Sequence, residues 1–200
     1  MSVMKSTRLY TISNEDDKKI AHLSVPQQKE LQEKPKLPND SLNTVNGTNT
    51  IVIASYHCCG SSTYANKKQD SKDLEADMYK FGVDGKVNPE YPANYLTAIK
   101  WHLVNNNWKY IFVSTKKEVL DALKKEDIPY VVLYPEVGRK DEIINLCRSR
   151  GNSEEFVTGL SENYEKSIER LSSEPKSYSL KPNEFINDEL FETRLKFLKQ

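Results

Sequence analysis

Apolar residues along this chain fall into two kinds of run. Thr50 to Tyr56, Trp108 to Ser114 and Pro129 to Tyr134 are short, nearly unbroken and rich in β-branched and aromatic residues. That pattern suits strands buried on both faces. Between and after them, apolar positions recur at helical spacing. Tyr95, Ile99, His102 and Leu103 follow Pro92, and Val119, Leu120 and Leu123 lie within residues 116–125. Arg139 to Arg150 reads as a helix closed by Gly151, and Ser153 with Glu154 and Glu155 opens another that runs to about Leu171. Lys176 to Leu180 reads as a short strand. Pro182 to Lys199 reads as a last amphipathic helix through Phe185, Ile186, Leu190, Phe191, Leu195 and Leu198. Strands separated by helical segments predict an α/β fold: a mainly parallel sheet with helices on both faces, a three-layer sandwich.

Before this region the pattern fails. Pro26, Pro35 and Pro38 interrupt a polar, Gln-rich stretch, and residues 39–49 are rich in Asn, Ser and Thr. Residues 1–48 are expected to be a largely disordered tail, with a short amphipathic piece near Gln27 to Glu33, and residues 49–200 the folded domain. A hydrophobic content of 37% and a mean hydropathy of −0.70 agree with such a tail. The 29 basic and 29 acidic residues cancel, so nothing points to nucleic acid or an anionic membrane as partner. No run has the length of a membrane span, and Met1 to Leu23 lacks the apolar core of a secretory signal. An odd count of three cysteines favours a reducing compartment, the cytoplasm first and the nucleus second.

The candidate chemistry starts in the loop after the first strand, Ser55-Tyr56-His57-Cys58-Cys59-Gly60-Ser61-Ser62-Thr63. Strand, glycine turn and a Ser/Thr-rich helix start is the setting of a phosphate-binding loop, where backbone N–H groups face an anion. Against the pattern Gly, four residues, Gly-Lys-Ser/Thr, Gly60 and Ser62 are kept, Ser55 replaces the first glycine, and Ser61 replaces the lysine. That lysine supplies the charge that phosphoryl transfer depends on. Gly60, Ser61, Ser62 and Thr63 are therefore candidates for holding a phosphate. Ser62 is the candidate Mg²⁺ ligand should Mg-ATP bind. Asp73, Glu75 and Asp77 follow as a possible substrate-positioning cluster, Lys116 and Lys117 as phosphate contacts. In a parallel sheet, ligands bind at the carboxyl ends of the strands, here Tyr56 to Ser62, Ser114 to Lys117 and Tyr134 to Arg139.

The block from Asp73 to Leu171 resembles P-loop nucleoside and nucleotide kinase-like proteins of phages and large viruses, which have scattered cellular relatives. The resemblance is carried by Asp73-Leu74-Glu75, Tyr79-Lys80-Phe81, Asn88 to Tyr95, Ile111 to Val119, Tyr134-Pro135, Lys140-Asp141-Glu142, Arg148 to Asn152, Phe156 and Lys181 to Phe185. It implies a nucleotide-kinase-like sandwich and a nucleotide or another small phosphorylated molecule as ligand. Arg139, Lys140, Arg148 and Arg150 resemble the lid-side arginines of such kinases, and Asp73, Glu75, Arg148 and Arg150 are the candidate catalytic residues. The chain departs from the family at Ser55, Cys58 and Ser61. Two readings follow: a kinase-like enzyme with impaired transfer that borrows Lys67, Lys116 or Lys117, or an inactive pseudo-kinase serving as a binding or regulatory module. His57-Cys58-Cys59 also offers a nucleophile pair, set against two cysteines that simply fill a tight turn.

Overall fold

The computed structural model describes residues 49–82, 85–105 and 108–196. The predicted tail, its amphipathic piece and Leu198 lie outside them. The described elements are β1 (Ile51–Ser55), α1 (Ser61–Lys67), β2 (Ser71–Asp73), α2 (Asp77–Lys80), α3 (Ala93–Asn105), β3 (Tyr110–Ser114) and α4 (Lys117–Lys125). They continue with β4 (Tyr130–Pro135), a 3-10 turn (Val137–Arg139), α5 (Lys140–Ser149), α6 (Glu154–Glu162), α7 (Tyr164–Ser172), β5 (Ser177–Leu180) and α8 (Asp188–Thr193).

The strands form one five-stranded, all-parallel sheet in the order β2-β3-β1-β4-β5. The fold is thus the predicted α/β type. From β1 the chain crosses outward to β2 and returns through β3, then passes to β4 and β5 on the other side. The strand cores carry the unbroken apolar runs: Val52, Ile53 and Ala54 in β1, Tyr110 to Val113 in β3, and Val131 to Leu133 in β4 are all buried.

Three elements differ from the sequence pattern. β2 is a strand in a polar stretch that showed no strand pattern, with Ser71 to Asp73 in register with Tyr110 to Phe112. The helix expected from Ser153 to Leu171 is two helices that meet at Asn163 (φ −103°, ψ 7°). The last helix is short. Residues 181–187 are irregular, and Asn187 caps α8 by accepting the Leu190 N–H at 2.8 Å.

The chain divides into two compact units. Among the described residues, the first holds Ser55–Ser61 and everything from Val132 onward. The second holds the residues before Ser55 together with Ser62–Val131.

In the first unit, Ile143, Ile144 and Cys147 of α5, Val157 of α6, and Tyr164, Ile168 and Leu171 of α7 supply the buried faces, with Ile186, Leu190 and Phe191. Arg139 is buried among them. The second unit is built around aromatic rings. Tyr64 of α1 meets Tyr110 and Phe112 of β3 edge-on, and Tyr79, Tyr91 and Tyr95 form a second group. Tyr95 donates its hydroxyl to the Leu74 carbonyl at 2.6 Å and accepts the Ser114 N–H at 3.2 Å, joining α3 to the ends of β2 and β3.

Candidate functional site

The loop after β1 belongs to the first unit as far as Ser61. Its backbone curls: Cys58 has φ 61° and Gly60 φ 102°. Turns of this kind bring successive N–H groups toward one side, the geometry of anion-binding backbone nests. The Cys59 N–H closes the turn on the Tyr56 carbonyl at 3.4 Å, and the Cys59 carbonyl accepts the Ile186 N–H at 2.9 Å. Gly60 has a second reason to lack a side chain. A Cβ there would lie 3.3 Å from the Ile186 nitrogen and 3.5 Å from Phe185 Cβ. The segment before α8 is therefore packed directly on the loop.

Two cysteines sit under this turn. Cys58 Sγ lies 3.0 Å from Cys147 Sγ on α5, and both residues are buried. Burial pushes the Cys59 thiol up to about 12, with the Arg139 charge only partly offsetting it. A thiol in that state is not a nucleophile at neutral pH. His57 packs its ring edge-to-face with Phe156 at 5.3 Å and with Tyr56 at 5.5 Å. Cys59 is a packed group of a tight turn.

Arg139 has the firmest setting in the first unit. Its guanidinium makes a fork–fork pair with Glu142, with Nε to Oε2 at 2.8 Å and Nη2 to Oε1 at 2.6 Å. Nη1 donates to the carbonyls of Leu180 at 3.3 Å and Glu184 at 2.9 Å, and the group lies over the Phe185 ring. Burial works against its charge, but Glu142 more than compensates, so its pKa rises. The lid-side role expected for Arg139 is not its setting. The guanidinium is a cross-brace between α5 and the chain after β5. Lys140 pairs with Glu165 at 2.9 Å, and Arg148 with Glu154 at 3.2 Å on the surface. Arg150 is exposed, and its charge eases the thiols of Cys59 and Cys147 toward ionisation.

The second unit brings two predicted site residues together. The Ser62 hydroxyl, in the first turn of α1, hydrogen-bonds the Asp73 carboxylate at the end of β2. Burial raises the Asp73 pKa, while Ser62 and Lys72 pull it back in part. A hydroxyl beside a half-buried carboxylate is a donor set that suits a hard cation such as Mg²⁺. Thr63 is exposed one residue on. Glu75 accepts the Met78 N–H through its carbonyl at 3.2 Å, opening the turn into α2.

Lys116 stands at the N-cap of α4 with its ammonium 3.2 Å from Asp77 Oδ1, and Lys117 is tied to Asp121 at 2.5 Å on the same helix. Lys67 is exposed at the last turn of α1, roughly 9 Å along the axis from Ser61 at 1.5 Å per residue.

Near Asp77 lies a feature to which the sequence motifs assign no role. The hydroxyls of Tyr79 and Tyr91 are buried and have no hydrogen-bond partner among the described residues. The Lys80 ammonium is 5.7 Å from the centre of the Tyr91 ring and 4.0 Å from Glu118 Oε1. Leaving a buried hydroxyl unsatisfied costs about 1–3 kcal/mol, so such groups are natural contacts for a polar ligand or water. The only sequence signal for them was the Tyr79-Lys80-Phe81 and Tyr91 segments within the family-like block. No metal-binding group of three or more His, Cys, Asp or Glu is found among the described residues.

Comparison of the chain with models of protein families gives no match, and neither does comparison with characterised proteins or with solved structures.

Proposed function

We propose that this chain is a nucleotide-kinase-like protein whose phosphate loop no longer supports phosphoryl transfer, and that it serves as a binding or regulatory module for a nucleotide or another small phosphorylated molecule. The observation that carries this reading is the fate of the cations that would replace the missing loop lysine. Ser61 has no charge, Lys116 is held by Asp77, Lys117 by Asp121, and Lys67 stands at the far end of α1. Phosphoryl transfer rests on positioning and on neutralising the charge of the transferred group. A loop that curls but carries no ammonium keeps only the weaker half of that function.

One observation favours a second reading, an active phosphotransferase. Ser62 hydrogen-bonds Asp73, a pair that would suit Mg²⁺ and an acceptor hydroxyl, and burial raises the Asp73 pKa toward that of a group able to take a proton. In that reading Ser62 would hold the metal of Mg-ATP. The metal would supply charge neutralisation at the phosphates. Asp73 and Glu75 would orient an acceptor hydroxyl.

Transfer of radiolabelled γ-phosphate from Mg-ATP to a panel of nucleosides and nucleoside monophosphates separates the two. The module reading expects no transfer above a buffer blank, and a small or absent thermal shift with Mg-ATP. Ser61→Lys is expected to tighten Mg-ATP binding by about tenfold or more, the worth of one charge-assisted phosphate contact near 1.4 kcal/mol. Turnover by the unaltered protein would establish the enzyme. Failure of Ser61→Lys to gain any binding would remove the phosphate-loop reading altogether.

A further inference from the structure

Cys58 and Cys147 are 89 residues apart in sequence, yet their sulfur atoms are 3.0 Å apart. Cys58 holds a left-handed backbone conformation (φ 61°) in the loop after β1. Cys147 lies on the buried face of α5 with Ile143 and Ile144. Both belong to the first unit. A disulfide places its sulfurs about 2.05 Å apart, so bonding would require the two to close by about 1 Å. The third cysteine, Cys59, sits next in sequence and is equally buried.

We propose that Cys58 and Cys147 are a redox modification site, joined as a disulfide by a peroxide or a small disulfide oxidant. With hydrogen peroxide, the Cys58 thiolate attacks one oxygen, breaking the O–O bond, and becomes a sulfenic acid as hydroxide leaves and takes a proton to form water. The Cys147 thiolate then attacks the Cys58 sulfur, the S–O bond breaks, and hydroxide again leaves as water. The two thiols lose two electrons and two protons in all, and peroxide is reduced to two waters.

Cys58 takes the first step because Cys147 is the more deeply enclosed of the two. The Cys147 thiol is held up by its Cys58 neighbour and by burial, against a smaller pull from Arg150. The closing attack by Cys147 is therefore slow at neutral pH and speeds up as the medium becomes more alkaline. The bond would fasten the turn that carries Gly60 to α5, closing a long loop of chain. In the chain-entropy view such closure raises the melting temperature. None of this rests on the loop's binding a nucleotide.

The test treats the full chain with hydrogen peroxide under native conditions, then alkylates it with iodoacetamide in denaturant and maps the cysteines by peptide mass spectrometry. The expected result is an intact mass lower by two hydrogens and alkylation of Cys59 alone. A peptide cross-linked between Cys58 and Cys147 should be released by dithiothreitol, and the oxidised protein should melt at a higher temperature. Cys59→Ser should still form the link, and Cys147→Ser should not. A link that includes Cys59, a sulfinic acid at Cys58 without any link, or alkylation of all three cysteines after oxidation would overturn the proposal. The mapping of the unaltered protein decides the matter even if Cys147→Ser fails to fold.

Discussion

Buried Arg139 and half-buried Asp73 are two charged groups with opposite effects on folding. Arg139 is fully paired: Glu142 meets it in two hydrogen bonds, and the carbonyls of Leu180 and Glu184 take Nη1. Removing one partner of such a set leaves the others stranded. Arg139→Ala should cost about 3–5 kcal/mol by urea denaturation, and replacing Arg139 and Glu142 together by Met and Leu should recover much of it. Asp73 is less well compensated. Burial raises its pKa above the ordinary value near 3.9, despite the Ser62 hydrogen bond. In acid below both values the proton is bound in either state, and the group costs nothing. As pH rises between the unfolded and folded values, the folded state holds the proton more tightly, so stability falls. Above the folded value the full cost persists. Asp73→Asn should therefore melt higher than the parent at neutral pH, with the gap vanishing in acid. A lower melting temperature at neutral pH would show that the carboxylate is better compensated than its burial implies. A stability cost of this kind is common where a residue is kept for function.

At the scale of elements, the long strands and the helices of regular spacing were legible because burial and periodicity agreed. β1, β3 and β4 are unbroken apolar runs, and α4 places Val119, Leu120 and Leu123 inward as its spacing requires. β2 was not legible. Ser-Lys-Asp has no strand signature, and its conformation is imposed by pairing with β3. The end of the chain was misread for the opposite reason. Phe185 and Ile186 stand at helical spacing with Leu190 and Phe191, but their segment leaves the helix to cover Gly60 and Arg139. Tertiary packing overrides a local period there. The loop itself was half legible: Gly60 announces a turn, whereas the sulfur contact under it joins residues 89 apart. The packing of that segment on Gly60 makes a test. Gly60→Ala meets both a positive φ and the Ile186 backbone, and should destabilise by about 1–3 kcal/mol. Gly85→Ala, also at positive φ but with nothing within 4 Å, should cost less. Equal losses in a denaturant series would mean that φ alone matters and that the segment does not press on the loop.

For the whole molecule, these local charges set how stability responds to acid. The chain is balanced at 29 basic and 29 acidic residues, so near neutrality it carries no net charge to repel itself. The exposed pairs Lys117–Asp121 and Arg148–Glu154 contribute little, about 0–1 kcal/mol each. The acid limb therefore depends on the half-buried, paired carboxylates. The Arg139 hydrogen bonds hold Glu142 below the ordinary range. Burial opposes the charge of Glu184, but Arg194 and the Lys181 N–H outweigh it and lower that pKa too. For a lowered carboxylate the stabilisation is complete above the unfolded value near 4.3, and it is lost as pH falls through the folded value beneath it. Protonation also strips the balancing charge from the 29 Lys and Arg, so repulsion adds to the loss. Glu142→Gln should consequently melt below the parent at neutral pH and converge on it in acid. Asp73→Asn should converge from above. Melting curves of the three proteins across this range test the account as a whole. If the two variants shift in the same direction at neutral pH, the opposed signs assigned to these carboxylates are wrong, and acid unfolding must be driven by net charge alone.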